Sequence, residues 1–224
     1  MSKNSFKVLR PGINTTFQDL GRDNLYHVGL PFSGAIDKRN YLIANSIITN
    51  KADDAVLEFA YQGPLLEFSG SKTSFVITGN VNFKIIKKDI SEIIGECYKT
   101  YDLEDKDCVD IISTEKSVYG YLSIKGGFYI NKFCNSYSTT IRAEIGPNNG
   151  KKIEIGQEIM LNTSETTNSR SLEYLNSKIE FIRVIKGTNF DYFSEDSIKD
   201  FTSKEFVVSK LTDRMGMRLS GLKI

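Results

Sequence analysis

The stretch "TTFQDLGRDNLYHVGLPFSGAID", Thr15 to Asp37, gathers the residues of this chain best equipped for chemistry. Gln18, Asp19 and Arg22, pinned by Gly21, put an amide, a carboxylate and a guanidinium within one tight turn. A guanidinium is a planar fork that fits a carboxylate or phosphate. A carboxylate beside it can orient water or act as a base. These three are the candidate catalytic residues. Farther along, Ser33 adds a hydroxyl and Gly34 frees backbone N–H groups ahead of a helix N-terminus, which favours anions. Thr16, Ser33, Gly34, Asp37 and Asn45 are the candidate substrate-binding residues. Plainer roles compete with these: a local Asp19–Arg22 ion pair, and Asp37 as a helix cap. Capping is the stronger reading for Asp37. For Arg22 the flanking glycines favour function, because a salt bridge alone would not need them.

Other chemical signatures are weak. "GPNNGKK" at Gly146 is one residue short of a phosphate-binding loop and has lysine where Ser or Thr would hold Mg²⁺. It reads as a turn with exposed lysines. No G-x-G-x-x-G follows a strand. His27 is the single histidine, so a histidine-rich metal site is excluded, and a solvent-facing or tyrosine-packed imidazole is the preferred reading. No A-M-K-M-like sequence is present, so biotin is not attached to this chain.

The polar loop must be positioned by the elements around it. Loops of this length are uncommon in compact domains and are usually functional or disordered. Phe17, Leu25, Tyr26, Val28, Leu30 and Phe32 give it enough apolar content to pack. A first strand is expected at Phe6–Leu9, stopped by Pro11-Gly12. A helix follows the loop, with Asp37 as N-cap and Tyr41, Leu42, Ala44, Ile47 and Ile48 at helical spacing. Beyond it, "AVLEFAY", "PLLEFSG", "TSFVITG", "VNFKII", "CVDIIST" and "VYGYLSIKGG" are short β-branched or aromatic runs between turn residues. Such spacing predicts a barrel or sandwich. The Ser-, Thr- and Asn-rich stretch 163–178 reads as a linker between a β-rich domain (1–162) and the start of a second one (179–224). In that second part "IEFIRVIKG" and "EFVVSKL" read as strands. "NFDYFSEDSIKDF" reads as a short helix with Phe193 and Phe201 inward.

Composition sets broad limits. The 224 residues are enough to bury a sizeable core. A formal net charge of +1 gives no field directed at nucleic acid or an anionic membrane. No apolar run approaches the ~20 residues of a membrane span, and the N-terminus lacks a signal-peptide core. Cys97, Cys108 and Cys134 are odd in number and lack metal-site spacing, which suits reduced thiols in the cytoplasm.

"VLRPGINTTFQDLGR", "GLPFSGAIDKRNYLIANSIITN", "AVLEFAYQGPLLEF", "YLSIKGGF" and "LTDRMGMRLSG" occur in the order and spacing of a known family. From about Lys7 onward the chain resembles the allophanate hydrolase subunit 2-like, or biotin-dependent carboxyltransferase, family, which includes one of the subunits of bacterial 5-oxoprolinase. Ile36 replaces a usual methionine, Met217 a frequent aromatic, and the glycine-rich turn becomes "GPNNGKK". Family members continue past "RMGxRL" through Q-V-P and T-G-G-Y-P turns, so the second domain is expected to be incomplete here. The resemblance implies a mainly β, cyclophilin-like barrel architecture with one or two short helices. It also implies a subunit of an ATP-dependent 5-oxoprolinase that opens the lactam of 5-oxoproline to glutamate. Its partners would be the other subunits and a small amide, with ATP shared with or bound by a partner subunit. One alternative is the carboxyltransferase subunit of a urea carboxylase-like enzyme. Another is a regulatory binding protein that antagonises a kinase inhibitor.

Overall fold

The computed structural model describes residues 4–162, 165–173, 181–214 and 216–220. The chain divides into two compact units, Met1–Tyr174 and Leu175–Ile224.

The first unit begins with β1 (Ser5–Arg10) and β2 (Thr16–Gln18), followed by a 3-10 turn at Tyr26–Val28 and by α1 (Lys38–Ile47). Then come β3 (Val56–Ala60), β4 (Leu65–Ser69), β5 (Lys72–Thr78), β6 (Val81–Ile86) and β7 (Glu92–Ile94). The series closes with β8 (Thr100–Glu104), β9 (Cys108–Thr114), β10 (Tyr119–Ile124) and β11 (Glu158–Met160). The strands pair antiparallel in a six-stranded sheet ordered β11-β1-β4-β9-β6-β7 and a five-stranded sheet ordered β2-β3-β10-β5-β8. Among the described residues no ladder joins the two sheets into a closed barrel. The mainly β class with two helices stands.

Alternation along the strands decides which face is buried. Phe6 and Val8 of β1, Leu66 and Phe68 of β4, and Val109 and Ile111 of β9 point into one core. Leu57 and Phe59, Phe75 and Ile77, and Leu122 and Ile124 meet them from the other sheet. Each such side chain contributes about 1.5–3 kcal/mol by leaving water. The opposite face of the five-stranded sheet is also covered. There α1 and its C-cap residue Ile48 lay Ala44, Ile47 and Ile48 against Val76 and Tyr98, and Tyr41 against Val56 and Tyr121. Under this cover Thr16, Glu58, Tyr121 and Thr78 stand side by side across four strands, because the register pairs each with the next.

The second unit holds a 3-10 turn at Phe190–Tyr192, α2 (Glu195–Ser203), and a hairpin of β12 (Val207–Asp213) and β13 (Gly216–Ser220). Ser194 caps α2 by accepting from Ser197 N–H at 3.2 Å. Two expectations change here. The described part of "IEFIRVIKG", residues 181–187, is not a strand, and Phe181, Ile182 and Ile185 are exposed. Among the described residues no strand lies beside it to complete a ladder, without which an apolar run does not hold an extended form. Phe193 and Phe201 are likewise about half exposed rather than inward, although Phe201 packs on Phe206 at 5.7 Å between ring centroids. Residues 179 and 180 of the expected strand, and 215 and 221 of the terminal motif, lie outside the described residues.

Candidate functional site

The loop after β2 is held by a second segment far along the chain, Phe133–Gly150. Asp19 is the main link. Its Oδ1 accepts from Gly21 N–H at 2.8 Å, Ser136 Oγ–H at 2.7 Å and Ser138 Oγ–H at 2.6 Å. Its Oδ2 accepts from Tyr137 N–H at 2.5 Å. A carboxylate buried this deeply needs such a set of donors to remain charged. One side of the loop is thereby stitched to residues 136–138.

Arg22 makes the second link and is almost fully buried, at 1% exposure. Its Nε donates to Phe133 O at 3.3 Å, Nη1 to Thr140 Oγ1 at 3.3 Å, and Nη2 to Ser138 O. The guanidinium also stacks over the Phe133 ring at 5.6 Å. The fork expected to face an anion is therefore engaged by main-chain carbonyls and a hydroxyl. Burial lowers the Arg22 pKa, and the charge of nearby Asp19 works against that shift. Asp19 acts across space, since its oxygens bond to other donors and not to the guanidinium.

Gln18 is buried too, and its Nε2 donates to Thr16 Oγ1 and to Thr139 O, both at 2.9 Å. Ser33 Oγ shares a hydrogen bond with Thr140 Oγ1 at 2.8 Å. Gly34 has φ +83°, and a Cβ there would press on Leu20 O at 2.8 Å, so glycine alone fits this return of the loop. Gln18, Asp19, Arg22 and Ser33 are thus brought together, with Thr16 bound to Gln18. Asp37 and Asn45 belong to the helix. Asp37 caps α1 through Asn40 N–H at 3.0 Å and also accepts from Asn40 Nδ2 at 2.6 Å. Asn45 is locked between Ser123 Oγ–H and Asp54 O, at 2.8 Å each.

Two further groups escape a reading of the sequence. Glu58 on β3 accepts through Oε2 from Tyr121 O–H and from Ile36 N–H, both at 2.9 Å. Tyr121 Oη also accepts from Asp37 N–H at 2.7 Å, so the end of the loop hangs on this buried pair. Burial, reinforced by the Glu58 charge, raises the Tyr121 pKa well above that of a free phenol. The other group is the segment Ser136, Ser138, Thr139 and Thr140, whose hydroxyls look ordinary in a Ser/Thr-rich run. The nearest signal is Gly146, with φ +105°, where a Cβ would strike Ser138 O and lie 3.0 Å from Arg22 Nη2.

The far side of this wall lines an open cleft of about 420 Å³. It is lined by Phe17, Tyr129 and Phe133 together with Asn131, Asn148, Asn149 and Lys132. Such a cleft suits a small planar polar molecule. "GPNNGKK" is a turn with Asn148 and Asn149 both left-handed and with Lys151 and Lys152 exposed. Its helical content is the three-residue 3-10 turn Asn148–Gly150, too short to present a helix N-terminus to a phosphate. Among the described residues there is no group of three or more His, Cys, Asp or Glu placed to hold a metal.

Residues 28–224 match the family model for the carboxyltransferase domain, subdomain A and B. The chain belongs to that family. Among relatives of this carboxyltransferase-domain chain, urea amidolyase from Saccharomyces cerevisiae is 28% identical over 235 residues, covering 98% of this chain and 12% of the relative. A 5-oxoprolinase subunit from Haemophilus influenzae is 27% identical over 214 residues, covering 92% of this chain and 65% of the relative. The chain thus spans about two thirds of one relative and a small part of the other. The fold matches the crystal structure of urea amidolyase from K. lactis, with a TM-score of 0.81 at 23% identity, over 99% of this chain and 14% of that one. Within the carboxyltransferase-domain chain, no helix among the described residues is long and apolar enough to cross a membrane.

Proposed function

We propose that this chain is a subunit of an ATP-dependent 5-oxoprolinase acting with partner subunits in the cytoplasm. In that reaction water adds across the lactam C–N bond of 5-oxoproline, giving the carboxylate and ammonium of glutamate. The observation that carries the reading is the cleft beside the Asp19–Arg22 network, small and lined by amides, in a chain related to a 5-oxoprolinase subunit. Gln18, Asp19 and Arg22 serve in this reading as positioning residues. They hold residues 133–140 at the height where Phe133 and its neighbours meet the substrate, and keep water out from behind. In this reading ATP is shared with or bound by a partner subunit.

A second reading, the carboxyltransferase component of a urea carboxylase-like enzyme, draws on the similarity to urea amidolyase. Both reactions place a planar amide in the cleft. Co-expression with candidate partner subunits tests them. 5-Oxoproline-dependent release of phosphate and glutamate supports the first reading. Biotin- and urea-dependent ATP consumption without lactam opening replaces it with the second.

A further inference from the structure

Lys132 is the only cation among the described residues that line the cleft. Its Nζ lies 3.3 Å from Asp53 Oδ2, with the two side chains 38% and 57% exposed, and 4.8 Å from the centroid of the Tyr137 ring. An exposed ion pair of this length is weak and screened by salt, so the ammonium is available to a second carboxylate. The Tyr137 ring supports the ammonium from its face. Tyr137 is fixed in turn, because its N–H donates to Asp19 Oδ2. Glu158, the acid that lines the cleft, accepts from Ser5 Oγ–H at 2.7 Å on the neighbouring strand. Close by, the side-chain amides of Asn131 and Asn149 make no hydrogen bond among the described residues, which leaves them to a ligand's amide.

We infer that the cleft selects amides that also carry a carboxylate, and that Lys132 is the residue that reads the carboxylate. The inference rests on the cleft being the amide site, and it goes further by separating a lactam acid from urea, which has no carboxylate to offer. Calorimetric titration of the full chain with 5-oxoproline and with 2-pyrrolidone, the same lactam without the carboxylate, tests it. The wild type should bind 5-oxoproline at least tenfold more tightly than 2-pyrrolidone. Lys132→Met should remove that difference while leaving 2-pyrrolidone unchanged, and Lys132→Arg should restore most of it. Equal binding of 5-oxoproline by wild type and Lys132→Met overturns the inference, and so does a wild-type chain that binds neither lactam. A chain that binds 5-oxoproline through Lys132 yet supports no lactam opening with any partner overturns the 5-oxoprolinase reading alone.

Discussion

Asp19 and Ser138 hold each other twice. The Ser138 hydroxyl donates to Asp19 Oδ1 at 2.6 Å while accepting from Asp19 N–H at 3.3 Å. A single hydroxyl thereby fixes both the side chain and the main chain of the loop's central acid.

Asp19→Asn should break this arrangement. An amide has one acceptor oxygen where the carboxylate offers two, and its NH₂ would face donors from residues 136–138. Arg22 would also lose its nearest negative charge while still buried. The expected loss is about 2–4 kcal/mol, the scale for stranding one partner of a buried charged network. Urea denaturation of the purified variant measures it. A change within about 0.5 kcal/mol, the scatter of surface substitutions, would mean that the loop relaxes freely.

Arg22→Lys should fail for a geometric reason. The guanidinium reaches Phe133 O, Ser138 O and Thr140 Oγ1 at once, and one ammonium cannot span all three. In an assembled enzyme kcat should fall at least tenfold, with the released residues 133–140 showing faster amide hydrogen exchange. Normal turnover together with unchanged exchange would refute the positioning role.

Gly146→Ala places a methyl against Ser138 O, the carbonyl that receives Arg22 Nη2. The left-handed backbone adds strain of its own. Stability should drop by more than about 1 kcal/mol, and thermal melting reports it. Lys151→Ala, on the exposed end of the same turn, should leave melting unchanged.

Asp37→Asn should be mild and Asp37→Ala should cost about 1 kcal/mol, because asparagine caps as well as aspartate and alanine does not cap. Comparing the two by chemical denaturation separates capping from any need for the charge. An asparagine variant as damaged as the alanine variant would show that the carboxylate itself matters.

Alkali should weaken the fold through Tyr41 and Tyr121. Burial raises both pKa values, aided at Tyr121 by Glu58 and at Tyr41 by Asp19. The folded chain therefore keeps phenolic protons that the unfolded chain releases at about pH 10. This stability is fully present below that pH and is lost as the pH rises above it, by up to about 1.4 kcal/mol per pH unit for each group. Tyr121→Phe should flatten the fall measured from about pH 9 to about pH 11, a window centred on the free phenol. An unchanged slope would remove Tyr121 from the titration.

The strands legible in the sequence differ by position from those that are not. β3, β4, β5, β6, β9 and β10 announce themselves as β-branched or aromatic runs. β2, β7, β8 and β11 do not, and these four form the outer edges of the two sheets. An edge strand pairs on one side only, so it needs less apolar sequence and tolerates charge, as "TYDLE" of β8 shows. The loop with Asp19 and Arg22 stands out by its composition. Its partner does not, because Ser136, Ser138 and Thr140 gain their roles only from residues more than a hundred positions earlier. In "IEFIRVIKG" the described residues 181–187 have the look of a strand without being one, since periodicity cannot report whether a neighbour exists to pair with them.

That long separation also orders events during folding. The bonds Gln18–Thr139, Asp19–Ser138 and Arg22–Ser138 close spans of 121, 119 and 116 residues. Between their ends lie β3 to β10 and α1. Contacts so distant along the chain carry a large closure entropy and form after local pairings have shortened the path between them. On the ribosome the opening loop must therefore wait, already synthesised and still unsatisfied, until the segment near Thr140 has emerged. Its burial of Arg22 then serves as the last latch, so a chain interrupted before that point carries every chemical group of the loop without its architecture.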